Sequence, residues 1–474
     1  MEIWEWENFE NIFNSSRFKV INTGPLYGPV TEFTLRRDTK LKIWLSTESA
    51  GDSESPDSDF VPGTVRTNTD AIECEDITGC LARAVGVTPI SHVSSNNYIS
   101  GNSITKQEST VEYVEIIIPK IPVDYRVDWV LNMDDANIMW PDRYELMFEG
   151  ATSFSWGDDF LKLRTKDSKR QFGRTCFCFS IDGVEVVVGR SGSKNDAPDK
   201  RGYLIYKGDI SDDVRLKIMG CVSYALGMHL VHVGSAGFSS AGYLAYAKSK
   251  SAYSLGGRVF ELGRMPPTPL GFVYQGEINP EVATRVIRAL YDNYDRLNLR
   301  MLFWQYWHAQ CAPYHVAAVH FGAAIEFLQK KYMEVFGKQS LGVIMPKPNW
   351  RPIRDEILAL VQSKDMQPQH LELISSQLAG LNRAPQKIVM ERFLSSLGIS
   401  LGDVELTAWQ HRNDAAHGND RTDSNPIELI RGNKVLRVML DRMILKIAEA
   451  ADHYVDYYSY NFPVRNLADP IPTS

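Results

Sequence analysis

The chain has 474 residues, of which 44% are hydrophobic and 23% charged, a balance that fits a globular protein and excludes a disordered or collagen-like one. Its formal charge of −7 excludes a constitutive, non-specific nucleic-acid coat, which would be basic, so any cationic surface must be local. Six cysteines without a C-x-x-C pair argue against a zinc module or a disulfide framework, and this length calls for about two or three cores rather than one.

The N-terminal run Met1-Glu2-Ile3-Trp4-Glu5-Trp6-Glu7 is acidic and tryptophan-rich, unlike an export signal, and no apolar run approaches the length of a membrane span. A cytoplasmic protein without a membrane partner is expected. Phe33-Thr34-Leu35 and Leu41 to Leu45 have the pattern of short strands, and Val111 to Ile118 reads as another, bounded by Pro119. Ser49 to Gly63, rich in Ser, Pro and Asp, is expected to be a surface loop. Cys176 to Val188 reads as a hairpin turning at Asp182-Gly183, a dipeptide suited to a type I′ turn. Cys176 and Cys178 would then share one strand face as small core residues.

A helix is expected from about Asp212 to a stop at Gly227. Gly234-Ser235-Ala236-Gly237 lacks the lysine of a phosphate loop and is expected to be a plain loop. His229 and His232 lie three apart in a strand-like run, hence on opposite faces, and so do not share a metal. Asp134-Asp135 and Asp158-Asp159 have no neighbouring acids and make a poor metal-nuclease case. No metal site and no cofactor are expected. His308, His315 and His320 lie among aromatics and read as core or interface residues, and Trp304, Tyr306 and Trp307 as packing.

The pattern changes near Asn279. Asn279-Pro280-Glu281 combines an N-cap, a proline at the first helical position and an acid in the first turn. Phe321, Ile325, Leu328, Tyr332 and Val335 then give one helical stripe, and Val389, Phe393 and Leu397 another. Asn425-Pro426-Ile427-Glu428 opens a helix carrying Leu436, Met439, Met443, Ile447 and Tyr454 on one face. Helical patterns continue to about Tyr458. The expected fold class is therefore α+β and multidomain. A β-rich, sandwich- or jelly-roll-like region over residues 1–268 precedes an all-α bundle over 269–474, with the boundary near Pro266-Pro267.

The chemistry points to Arg412-Asn413-Asp414-Ala415-Ala416-His417-Gly418. This run closes a helix expected from about Val404 to Ala416 or His417, whose apolar stripe is Leu406, Trp409 and position 413. Asn413 and His417 lie on one face, and helical side chains lean toward the N-terminus, so the amide can orient the imidazole while Arg412 reaches the same space from the adjacent edge. Arginine stabilises charge on a phosphate and histidine moves protons near neutral pH. On the following helix Arg431, Lys434, Arg437, Arg442 and Lys446 outnumber the acids and read as a candidate RNA-binding face, led by Arg431, Lys434 and Arg437.

Arg412, Asn413 and His417 resemble the R-x4-6-H motif of the HEPN superfamily, and a β-rich region before an R-N-x3-H-G run is similar to its Apea-like branch. Ala323-Ala324-Ile325-Glu326-Phe327-Leu328 resembles the first helix of that superfamily, which often carries an acid in such a setting and makes Glu326 a supporting residue. The resemblance covers the last third of the chain. It implies a metal-independent endoribonuclease, acting as a homodimer or higher homo-oligomer on an RNA (tRNA among the candidates) in anti-phage or abortive-infection defence. The N-terminal region would sense a phage-derived trigger. The catalytic residues would be Arg412, His417 and Asn413. Asp414 and Asp420 depart from what a phosphate site favours, because acids beside it oppose substrate binding. The alternative is a non-catalytic HEPN-type interaction module whose β-rich half binds a protein or small ligand.

Overall fold

A computed structural model describes the chain apart from residues 1–3, 11–16, 24–25, 27–28, 51–70, 98–101, 134–139, 143–144, 149–150, 157–158, 165–167, 172–174, 193–199, 256–267, 271–277, 365, 417–425 and 474. Two compact units are present, Met1–Thr268 with Phe272–Thr284, and Pro269–Gly271 with Arg285–Ser474. The architecture is α+β, with antiparallel sheets in the first unit and helices dominating the second.

The first unit opens with a short helix α1 (Glu7–Glu10). Its ten-stranded sheet runs, in spatial order, Lys19–Asn22, Ala71–Glu75, Leu81–Val85, Tyr113–Ile117, Leu244–Lys250, Val231–Phe238, Tyr125–Leu131, Gly202–Lys207, Val184–Arg190 and Cys176–Ile181. A second sheet has four strands, ordered Val30–Arg37, Ile43–Ala50, Asn102–Val111 and Thr88–Asn97. Neither sheet closes on itself. Ile43 and Leu45 of the smaller sheet join Ile72, Ala82, Val114 and Trp129 of the larger in one core, as alternation on half-buried strands requires.

The expected hairpin turns where the sequence placed it, with Asp182 at φ 49° and Gly183 at φ 77°, the left-handed pair of a type I′ turn. For the cysteines the expectation holds in part: Cys176 is buried, but Cys178 is not. Phe177 and Phe179 are buried while Cys178 is exposed, because the larger aromatic rings gain more from leaving water. The Gly234-Ser235-Ala236-Gly237 run is not a loop but the middle of the strand Val231–Phe238. A Cβ at Gly234 would stand 2.7 Å from both the Glu5 side chain and the Lys248 carbonyl oxygen, so the small residues mark close approach rather than a turn. Ser49 does not open the expected surface loop but lies buried near the end of the strand Ile43–Ala50. The rest of that stretch, Gly51 to Gly63, lies outside the described residues, as do Asp134-Asp135 and Asp158.

Helix α2 (Asp212–Leu226) ends at Gly227, which has φ 64°. It is anchored to the large sheet by a buried ion pair between Arg215 and Asp128, and by Tyr206, whose hydroxyl donates to the Arg215 carbonyl at 3.3 Å. Beside that pair, the Lys250 Nζ lies 2.9 Å from Nδ1 of His232, whose Nε2 lies 3.3 Å from Asp128. His232 is thus a buried structural neighbour of a carboxylate.

Helices follow from Pro280: α3 (Pro280–Asn293), α4 (Leu299–Cys311), α5 (Tyr314–Val335), α6 (Lys347–Gln362), α7 (Pro368–Gly380), α8 (Gln386–Leu397), α9 (Asp403–Ala416) and α10 (Pro426–Ile447). Asn279 caps α3, its side-chain oxygen accepting from the backbone N–H groups of Glu281 and Val282 at 3.1 Å each. Helix α5 packs against α4, α9 and α10, burying Phe321, Ile325, Leu328 and Tyr332. From Val435 to Leu445 every residue of α10 is buried, the signature of a central helix rather than a surface one. The expected α10 stripe ends at Ile447, for Tyr454 sits on a strand, His453–Val455, paired with Val464–Asn466. His315 and His320 are exposed rather than core, and Trp304 is partly exposed while Tyr306 and Trp307 are buried.

Candidate active site

The site begins at the start of α9. Glu405 is fully buried and accepts the backbone N–H of Gly402 at 2.8 Å, the reciprocal half of a capping box. Its other oxygen accepts from Arg442 Nη1 at 2.7 Å and from the Ile471 N–H at 3.0 Å. Arg442 also donates to the carbonyls of Leu467 (3.2 and 2.9 Å) and Ser400 (3.1 Å). Burial pushes the Glu405 carboxyl up, against the opposing pull of the Ile471 and Gly402 N–H groups and of Arg442. These bonds lock the first turns of α9 to α10 and to the C-terminal segment.

One consequence is the rotation of α9. Its inward face carries Glu405, Ala408 and Trp409, whereas Leu406 is 40% exposed. The stripe expected through Leu406 is therefore turned by about one residue, since Glu405 finds buried partners that a carboxylate ordinarily lacks. Arg412 follows Trp409 by three positions and lies on the inward side. Its guanidinium lies over the Trp409 ring, 4.7 Å from the centroid, and its Nη2 donates to the Glu326 carboxylate on α5. The Arg412 side chain is 12% exposed and that of Glu326 25%.

The arginine reaches Glu326 across Gly322, one turn earlier on α5. A Cβ at Gly322 would overlap the Cγ, Cδ and Nε atoms of Arg412, so glycine at this position is a clearance for the guanidinium. Sequence reasoning singled out Arg412 and Glu326 but missed Gly322. The signal was a lone glycine four residues before Glu326 inside a helical pattern.

Of the other expected site residues, Asn413 belongs to α9 as backbone, with its side chain outside the described residues. His417 lies wholly outside them. Arg431 and Lys434 are exposed on the first turns of α10. Arg431 Nη2 donates to the Tyr458 hydroxyl at 2.7 Å, and the guanidinium lies 4.9 Å from that ring's centroid. Arg437 is 7% exposed and packs over Tyr457 at 5.3 Å. The cationic face read from the sequence is thus interrupted: Arg437 and Arg442 lie where α10 is buried on all sides, Arg437 packed over Tyr457 and Arg442 paired with Glu405.

Among the described residues no three or more His, Cys, Asp or Glu side chains gather as a metal site, and no helix is long and apolar enough to cross a membrane. No known protein family, curated protein or solved structure matches the chain.

Proposed function

We propose that the helical unit is a metal-independent endoribonuclease of the HEPN type, with Arg412, Asn413 and His417 as its catalytic residues. The observation that carries this reading is the pairing of Arg412 with Glu326 across α5 and α9. The motif arginine meets Glu326, the acid that the resemblance marks as a supporting residue, 86 positions away, over the clearance that Gly322 leaves for it. A guanidinium offers five N–H donors in a rigid fork. With one edge held by a carboxylate and one face on Trp409, its orientation is set before substrate arrives.

In the proposed reaction an RNA 2′-hydroxyl attacks the adjacent phosphorus. The bond from O2′ to phosphorus forms, the bond to O5′ breaks, and the products carry a 2′,3′-cyclic phosphate and a 5′-hydroxyl. His417 takes the proton from O2′ or gives one to O5′. Arg412 stabilises the charge that grows on the non-bridging oxygens, and Asn413 orients the imidazole or the phosphate. One histidine fills only one of the two proton-transfer roles. A second motif from another copy of the chain fills the other, so the active form is a homodimer or larger. By resemblance, the enzyme belongs to anti-phage defence, and the β-rich unit responds to a phage-derived trigger.

The test is substrate chemistry. RNA incubated with the protein in EDTA should yield cyclic phosphate ends, and a 2′-deoxy nucleotide placed at the cut position should stop cleavage there. Cutting that tolerates the deoxy substitution contradicts the reading. A second reading, a non-catalytic HEPN-type interaction module, is favoured by the low exposure of Arg412, since a clamp between α5 and α9 would look the same. The two separate on His417→Ala, which abolishes cleavage at unchanged melting temperature only if the unit is an enzyme.

A further inference from the structure

A groove of about 420 Å³ lies between α9 and the first turns of α10, lined by Asp403, His411, Glu428, Arg431, Val435 and Tyr458 among others. Its size falls within the range of about 300–1,000 Å³ typical of small-molecule sites. We propose that this groove is a nucleobase subsite that holds a guanine of the RNA substrate; the proposal rests on the ribonuclease reading of the neighbouring motif.

Three features argue for this occupant. The first is a stacking platform. Arg431 is layered on the Tyr458 ring and hydrogen-bonded to its hydroxyl, so a planar cation lies fixed on an aromatic at the wall of the groove, and bases stack on guanidinium planes as well as on rings. The second is the pair of carboxylates, Asp403 and Glu428, both exposed. Carboxylates only accept hydrogen bonds, so they select a base edge that donates. Guanine alone presents two adjacent donors, N1–H and the N2 amino group, which match one carboxylate in two parallel bonds. Adenine and cytosine place an acceptor beside the amino group, and uracil flanks its single N–H with two carbonyls.

The third is location. His411 faces α10, its Nδ1 4.0 Å from a Cβ built at Gly432, and it immediately precedes Arg412 on α9. On α10 Arg431 follows Glu428 by three positions, so its guanidinium is the groove's partner for the phosphate. The groove thus shares helix α9 with Arg412, which His411 directly precedes.

The experiment is calorimetric titration of full-length protein carrying His417→Ala, so that no cleavage occurs, with the 3′-monophosphates of guanosine, adenosine, cytidine and uridine. Guanosine monophosphate should bind roughly tenfold or more tightly than the others. Asp403→Asn with Glu428→Gln should erase that preference. Tyr458→Ala should weaken all four ligands by about tenfold, and Arg431→Ala, which removes no packed core atoms, should do the same if Tyr458→Ala fails to fold. Absence of binding, equal binding of the four nucleotides, or a guanine preference that survives the acid-to-amide changes overturns the subsite. Because binding is read without catalysis, such a failure leaves the cleavage assay to judge the ribonuclease separately. Conversely, guanosine binding by a wild-type protein that cuts no RNA keeps the groove as a nucleotide site and overturns the enzyme.

Discussion

Arg412 is the residue on which the site turns, and its position follows from its neighbours rather than from its own chemistry. It is drawn inward by a carboxylate on α5, an indole on its own helix, and the missing side chain at Gly322. Replacing a mid-helix glycine by alanine ordinarily stabilises by roughly 0.5–1 kcal/mol. At position 322 the sign should reverse: Gly322→Ala forces the Arg412 side chain aside, costing about 1–3 kcal/mol from overpacking, and RNA cleavage should fall with it. Urea unfolding and a cleavage assay read both effects, and a variant more stable than the wild type would show that the clearance is not needed. Arg412 and Glu326 could be singled out in the sequence by resemblance, because the motif and the A-x-E-x-L setting are local patterns; their contact could not. Gly322 was not singled out, because what a glycine makes room for is a contact between distant helices. The face of Cys178 and the exposure of Leu406 were misjudged for the same reason. In each case a competing neighbour, the paired phenylalanines or the buried Glu405, claimed the inward side.

At the scale of elements, α9 holds its rotation through Glu405 and Arg442. Removing one partner strands the other in the interior, so Arg442→Met should cost about 3–5 kcal/mol. Adding Glu405→Gln should recover a large part of that loss, and urea midpoints of the single and double variants test it. Equal destabilisation by both would mean that the bonds of Arg442 to the Leu467 and Ser400 carbonyls carry the energy instead. In the β-rich unit, Lys250 shows what burial does to a cation. Burial lowers its pKa to about 8, with Lys248 and Arg215 acting in the same direction and Asp212 opposing them. The native state therefore gives up this proton before the unfolded chain does. Between about pH 8 and the ordinary lysine value of 10.5 the unfolded chain binds more protons, so this group's contribution to stability rises with pH. The urea midpoint of the β-rich unit should show that rise in the wild type and lack it in Lys250→Met. The helix starts at Pro280 and Pro426 and the stop at Gly227 were readable from capping residues alone. The strand through Gly234 was not, since small residues signal a turn in a sequence and close approach in a sheet.

At the scale of the whole molecule, the succession of a β-rich and a helical unit was legible from the change of period near Asn279. The ten-strand order was not. Neighbours such as Tyr113–Ile117 and Leu244–Lys250 are far apart in the chain, and no local pattern encodes such a pairing. The net charge of −7 bears on the proposed function, because an acidic protein that acts on RNA must grip it through local cations, for which Arg412 and Arg431 are the candidates. Binding should accordingly be weak away from the site and fall steeply with added salt. The shortage of proton-transfer groups in one copy of the motif bears on assembly. Sedimentation of active protein should give a dimer or larger species, and a monomer that still cleaves RNA would require an acid or base the motif does not contain.

The most direct measurement compares wild type, Arg412→Ala and His417→Ala on total cellular RNA in EDTA, with fragment ends mapped and folding checked by circular dichroism. The account requires cleavage by the wild type alone, leaving 2′,3′-cyclic phosphate ends, with both variants folded and inactive. Cleavage that persists in either folded variant, or wild-type protein that leaves RNA intact when expressed in phage-infected cells, would contradict it.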